Sequence, residues 1–146
     1  MSKLSAAVIG LGMGQAHIRG YQSHTDVEVI GIVDPDENRL NSVGDEFGIS
    51  NRYSSTEELF AHQHPDIVSI AVPNIYHKSL TLLAFEHGAH VLCEKPMAMN
   101  AAEAEQMIAA SEAAGKRLMI NFSFRFTPQS QALKREVESG VLGDIY

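Results

Sequence analysis

A chain of 146 residues, 45% hydrophobic and 20% charged, has the size and balance of one domain with a packed core. Its net charge of −7 argues against a nucleic-acid partner, which needs a basic face, and no apolar run is long enough for a membrane span. A single cysteine, Cys93, excludes an internal disulfide, and Met1-Ser2-Lys3-Leu4 lacks the apolar core of a signal peptide, so a reducing cytoplasm is the expected compartment.

Strand and helix patterns alternate along the chain. Leu4 to Ile9 reads as a strand, and Gly10, Gly12 and Gly14 follow it at alternate positions. Met13 to Gln22 then has helical spacing. Val27 to Val33 is an apolar strand ending in Asp34-Pro35-Asp36, and a helix from Glu37 to Phe47 is closed by Gly48. A short strand is expected near Asn51 to Tyr53. Ser55-x-x-Glu58 has the form of a capping box opening a short helix. Ile67 to Val72 is a buried strand broken by Pro73-Asn74, and Tyr76 to His87 is a helix ended by Gly88. Ala89 to Cys93 is the next strand, stopped by Glu94-Lys95-Pro96. Asn100-x-x-Glu103 caps a helix running to Ala114 and Gly115. Leu118 to Phe122 is a sixth strand, and Thr127-Pro128 opens a last helix that Gly140 ends. Gly143-Asp144-Ile145-Tyr146 resembles the opening of a further strand, which suggests one domain of a longer protein.

Strands alternating with helices of this length predict an α/β fold of the Rossmann type, a doubly wound parallel sheet in the order 3-2-1-4-5-6. Ligands of such sheets bind beyond the C-terminal strand ends, where the order reverses. The residues to weigh are therefore Gly10 to Gly14, Asp34, Val72 to Asn74 and Glu94 to Pro96.

A strand, a glycine turn and a helix in that order suit a pyrophosphate, because bare backbone permits close approach and the helix offers unpaired N–H groups. The spacing departs from G-x-G-x-x-G: Gln15 stands where the last glycine would fall, and Gly14 and Ala16 are the small residues left to let the helix approach the strand. Asp34 lies about 20 residues beyond the glycines, where an acid accepts hydrogen bonds from the adenosine ribose. Its charge favours NAD, whereas Arg39 could reach the 2′-phosphate of NADP. A helix N-cap is the other reading of Asp34. Asn74 could bond cofactor or substrate and His77 could line the nicotinamide pocket; equally, Asn74 could cap the next helix and His77 lie on the surface. Lys95 is a candidate for proton transfer beside a nicotinamide, or one half of a surface ion pair with Glu94. Asn121 lies near the end of the sixth strand. Arg125 could hold an anionic or polyhydroxyl substrate group, or tie this domain to the next one. Met97, Met99, Met107 and Met119 read as core fillers, and Cys93 as an inert buried thiol. His24, His62, His64, His87 and His90 lack metal-ligand spacing, so no metal is expected.

These pieces resemble the glucose-fructose oxidoreductase, inositol dehydrogenase and MocA family of NAD(P)-dependent oxidoreductases. The resemblance rests on the Val8-Ile9-Gly10-Leu11-Gly12 turn with His17 after it, Asp34 with Arg39, Ile70-Ala71-Val72-Pro73-Asn74-x-x-His77, Glu94-Lys95-Pro96, and Asn121-Phe122-x-Phe124-Arg125-Phe126-x-Pro128. It implies that Gly10, Gly12, Met13 and Gly14 cradle the pyrophosphate of NAD, or of NADP, and that Asp34 binds the ribose. Val72, Pro73, Asn74 and His77 would line the path to the nicotinamide, and Glu94 would hold the cofactor. Lys95 would be catalytic in proton transfer, Pro96 would follow a cis peptide bond, and Asn121 and Arg125 would lie near nicotinamide and substrate. The implied activity moves a hydride between the cofactor and a secondary alcohol of a sugar or polyol. The family's second α/β domain, which supplies an acid/base histidine and usually an oligomer interface, is absent from these residues. The expected division is a dinucleotide-binding domain over 1–125 and a connecting helix with the start of a truncated second domain over 126–146. This chain alone is expected to bind cofactor but turn over poorly. Two alternatives are a non-catalytic nucleotide-binding module and an NAD-dependent glycosidase on the same scaffold.

Overall fold

The computed structural model describes residues 3–145. Six parallel strands, β1 (Leu4–Ile9), β2 (Val27–Val33), β3 (Arg52–Tyr53), β4 (Ile67–Ile70), β5 (His90–Glu94) and β6 (Leu118–Asn121), form one sheet in the order β3-β2-β1-β4-β5-β6. The expected order is thus the observed one. The strands are joined by α1 (Gly14–Gln22), α2 (Glu37–Phe47), α3 (Thr56–His62), α4 (His77–Glu86) and α5 (Ala101–Ala114), and α6 (Pro128–Glu138) follows β6. Among the described residues no helix is long and apolar enough to cross a membrane.

Alternate residues of β1 point to opposite faces. Val8 joins Leu11, Ile18, Ile32, Leu40 and Val43 beneath α1 and α2. Ala7 and Ile9 join Leu59, Phe60, Val68, Phe85, Val91 and Met107 beneath α3, α4 and α5. The register pairs Leu92 with Met119 and Glu94 with Asn121. Leu118 and Ile120 face the α5 side and pack on its core, which leaves Met119 on the other side, 48% exposed. Of the four methionines expected in the core, Met107 is buried and Met97 packs partly, whereas Met119 and Met99, at 57%, are exposed. Cys93 is buried and unpaired, and burial pushes its thiol up to about 12, so it is inert as expected.

The punctuation residues act largely where expected. Ser55 accepts a bond from the Glu58 amide, but the Glu58 carboxylate reaches back to Ser54, one residue before the cap. Asn100 accepts from the Glu103 amide, Thr127 from the Ser130 amide, and Gly48 and Gly115 end their helices in the left-handed conformation. The N-cap of α2 is Asp36 rather than Asp34. β4 stops at Ile70, two residues early, because Pro73 has no N–H for the ladder and steers Val72 out of the sheet. A 3-10 turn, Asn74–Tyr76, then delays α4 to His77. β5 runs one residue later than expected, to Glu94, which puts that carboxylate inside the sheet.

A second 3-10 turn, Ser123–Phe126, spans the expected boundary at 125/126. Helix α6 packs against this turn and buries none of its own residues. The expected strand at Gly143–Tyr146 is not seen: Gly143 to Ile145 are irregular, with no neighbouring strand to pair with, and Tyr146 lies outside the described residues, as do Met1 and Ser2.

Candidate functional site

The site starts at the turn after β1. Gly10 has φ +86°, and a Cβ there would lie 2.5 Å from the Ala71 carbonyl oxygen, so only glycine passes. At Gly12 a Cβ would meet no atom within 4 Å. The protein itself leaves that space open, which suits the close approach of a ligand. At Gly14 a Cβ would lie 2.8 Å from Val8 Cγ1. Gly14 therefore performs the helix-to-strand contact of the missing third glycine, while Ala16 is exposed and takes no part. Helix α1 has no side-chain cap and no acidic residue in its first turn, so its positive end is free for an anion.

Asp34 follows β2 and is 2% exposed. Its Oδ2 accepts the Leu11 N–H at 2.8 Å and its Oδ1 the Asp36 N–H at 2.9 Å. Arg39 Nη1 lies 3.3 Å and 3.2 Å from the two oxygens, and Arg39 also reaches Asp36. The acid is thus pinned to the glycine turn by a backbone bond.

At the end of β4, Val72 is half-buried and Pro73 and Asn74 are exposed; Asn74 makes no capping bond. His77 is not a surface residue. It is 1% exposed, with Nδ1 2.7 Å from the Pro96 carbonyl oxygen and Nε2 2.9 Å from that of Val72. It therefore ties the end of β4 to the turn after β5. The Lys95–Pro96 peptide bond is cis, as the resemblance implies.

Glu94 ends β5, 8% exposed. Its Oε1 accepts from Asn121 Nδ2 at 2.7 Å and lies 3.1 Å from His17 Nε2; its Oε2 accepts the Lys95 N–H at 3.2 Å. Burial pushes the carboxyl up, but the bonds from Asn121, His17 and the Lys95 amide together outweigh it, and the group is held below the ordinary value of 4.5. Lys95 is exposed, and among the described residues no ion pair joins it to Glu94. A groove of about 580 Å³ runs between α1 and the bare face of β5 and β6, lined by Met13, His17, Glu94, Lys95, Asn121 and Phe124. An adjoining cavity of about 470 Å³ adds Arg125 beside Lys95 and Asn121.

Because a carboxyl group held low gains stability as a carboxylate, its contribution is present above the ordinary value and lost as pH falls through the lowered one. The stability difference between the parent chain and Glu94→Gln should therefore shrink as pH drops below 4.5, measured by urea unfolding at a series of pH values.

Since the strands are parallel, Gly10 to Gly14, Asp34, Val72 to Asn74, Lys95 and Asn121 all lie on one edge of the sheet. Asp34 and Lys95 follow strands three spacings apart, about 14 Å. The glycine turn lies between them, so the order of carboxylate, open backbone and lysine fits an extended dinucleotide. Asp34 and Arg39 flank one side of the turn, while Met13, Glu94, Lys95 and Asn121 share the groove on the other. Absent from the sequence-derived set are Ser69 and Tyr21: Ser69 lies against His17 inside the groove wall, and Tyr21 against Ser69. The signal was there: Gly14, His17 and Tyr21 fall on one face of α1, and Ser69 is the polar residue of an apolar strand.

The model of an oxidoreductase family, GFO_IDH_MocA, described as having an NAD-binding Rossmann fold, matches residues 4–122. D-glucoside 3-dehydrogenase of Escherichia coli is 33% identical over 99% of this chain and 42% of its own length. D-apiose dehydrogenase of Rhizobium rhizogenes is 35% identical over 100% of this chain and 43% of its own. A solved oxidoreductase from Agrobacterium radiobacter, in complex with NAD+, L-tartaric acid and magnesium, superposes with a TM-score of 0.91 at 33% identity, covering 98% of this chain and 42% of that one. The WlbA dehydrogenase of Bordetella pertussis, in complex with NADH and UDP-GlcNAcA, gives 0.92 at 27% identity, covering 99% and 44%. The chain thus spans less than half the length of these relatives.

Proposed function

The chain belongs to this oxidoreductase family with an NAD-binding Rossmann fold, and on that premise we propose that it is the cofactor-binding part of an NAD(P)-dependent sugar or polyol dehydrogenase. Gly10, Gly12, Met13 and Gly14 would receive the pyrophosphate at the open start of α1. Asp34, held by the Leu11 amide, would accept bonds from the adenosine ribose, with Arg39 beside it. Val72, Pro73 and Asn74 would border the cofactor's path, and His77 would support it from below. Glu94 and Asn121 would border the nicotinamide end. Lys95 would take or give the hydroxyl proton of the substrate, and Arg125 would meet its polar groups. When bound, the nicotinamide supplies the hydride acceptor or donor. The relatives' dehydrogenase names support a polyhydroxyl substrate, and their greater length supports a second domain that brings further substrate contacts and an oligomer interface. A single buried cysteine suits a reducing cytoplasm.

The observation that carries this reading is the edge itself: open backbone at Gly12, a buried carboxylate on one side and an exposed lysine on the other. Isothermal titration of the chain with NAD and with NADP is expected to show saturable binding of both, tighter for NAD. No heat with either, together with a blank fluorescence titration, would refute it.

A further inference from the structure

Beneath Lys95 lies a run of buried and half-buried polar side chains, and three of them, Tyr21, Ser69 and His17, have no part in the proposed cofactor contacts. Tyr21 OH lies 2.7 Å from Ser69 Oγ, Ser69 Oγ 3.1 Å from His17 Nδ1, and His17 Nε2 3.1 Å from Glu94 Oε1. The members come from α1, β4 and β5, and Asn121 adds β6. Ser69 is fully buried, and His17 and Glu94 are each 8% exposed.

Donor and acceptor chemistry gives the run one direction if the His17 ring is neutral, and reverses its Tyr21–Ser69–His17 part if both ring nitrogens carry protons. Ionised Glu94 can only accept, so His17 Nε2 must carry a proton. In the neutral ring Nδ1 then accepts, and the Ser69 hydroxyl donates to it. Ser69 Oγ is left to accept from Tyr21. Asn121 must also present its NH₂ to Glu94, because its carbonyl there would face a carboxylate; the 3.4 Å between Asn121 Nδ2 and His17 Nε2 is two donors meeting at one acceptor. Every member is satisfied, since among the described residues the buried side-chain atom without a partner is Thr81 Oγ1, outside this run. Burial leaves the Tyr21 phenol raised, which keeps it a donor. The run ends on Glu94 Oε2, which accepts the Lys95 amide. Replacing a buried ion pair by apolar residues of similar volume is often neutral or stabilising, so packing alone does not call for a polar set.

We propose that Tyr21, Ser69 and His17 form a one-way hydrogen-bond chain that locks Glu94 against the Lys95 amide, making His17 a positioning residue for the lysine at the groove. The role given to Lys95 rests on the proposed function, but the lock is a property of the chain itself and is tested without cofactor.

Two measurements on the 146-residue chain test it. Nitrogen NMR of the imidazole rings should find His17 as the neutral tautomer with its proton on Nε2. Amide hydrogen exchange should show the Lys95 N–H exchanging on the order of tenfold faster in His17→Ala, with Val91 and Ile70 unchanged; His17→Gln, whose amide can donate to Glu94, should restore most of the protection. A proton on Nδ1, unchanged exchange at Lys95, or an equal rise at every core amide would each overturn the proposal. If His17→Ala does not fold, the tautomer in the parent chain decides. Loss of NAD binding with this exchange pattern intact would sink the cofactor reading and leave the lock standing, and the converse result would do the opposite.

Discussion

Asp34→Ala is expected to lower NAD affinity by on the order of 100-fold, read by isothermal titration. The carboxylate is almost wholly buried and already accepts from the Leu11 and Asp36 amides and from Arg39, so ribose hydroxyls would bond it in place of the Arg39 guanidinium. A hydrogen bond from a neutral donor to a charged group contributes about 1.5–3 kcal/mol, so one or two lost ribose bonds account for that drop. The same change removes the partner of the Leu11 amide and so loosens the glycine turn. The orphaned N–H costs about 1–3 kcal/mol of stability, which urea unfolding would register separately. Asp34→Asn distinguishes the two effects. It keeps one acceptor oxygen for the Leu11 amide but turns the other position into a donor, which suits neither the Asp36 amide nor Arg39. Its stability should lie nearer the parent, while its affinity should fall almost as far as that of the alanine variant. Undiminished NAD binding by Asp34→Ala would show that the ribose does not sit there.

The fold was legible because each punctuation residue has a local physical cause. Gly48 and Gly115 sit at left-handed helix ends, Asn100 and Thr127 cap, and apolar runs of strand length alternate with helical spacing. Errors fell where tertiary contacts override local preference. Met119 reads as core by composition, yet β6 turns it to the side that no helix of the described residues covers. One of the two readings of His77 puts it on the surface beside Pro73-Asn74, yet carbonyl groups of two separate turns hold its ring in the interior. The strand-end rule for parallel sheets singles out Asp34, Glu94 and Lys95, and the family resemblance adds expected roles for them. Neither could reveal that Asp34 grips the glycine turn, or that Glu94 is bonded by His17 from 77 positions away. Such pairs are set by which strands become neighbours, and no local pattern records that.

The glycines give the sharpest separation of folding from binding. Gly10→Ala is expected to destabilise the chain by about 3 kcal/mol or more, or to prevent folding. It combines a positive φ, which costs a residue with a Cβ about 1–2 kcal/mol, with a methyl group driven against backbone. The Ala71 carbonyl cannot yield easily, because the Ala71 N–H is bonded to Ile9 in the adjoining strand. Gly12→Ala is the opposite case. Its φ is not positive and its added methyl meets no protein atom within 4 Å, so its urea midpoint should match the parent's to within about 1 kcal/mol. That methyl would nevertheless occupy the approach to the open start of α1, where the pyrophosphate is proposed to rest. NAD affinity in Gly12→Ala should fall by on the order of tenfold or more with stability intact, since steric exclusion at a close backbone contact has no cheap relief. The pair thus tests one turn in two independent ways. Normal NAD binding by a stable Gly12→Ala would mean that the cofactor keeps clear of this backbone, and the pyrophosphate would then have to be placed elsewhere on the sheet.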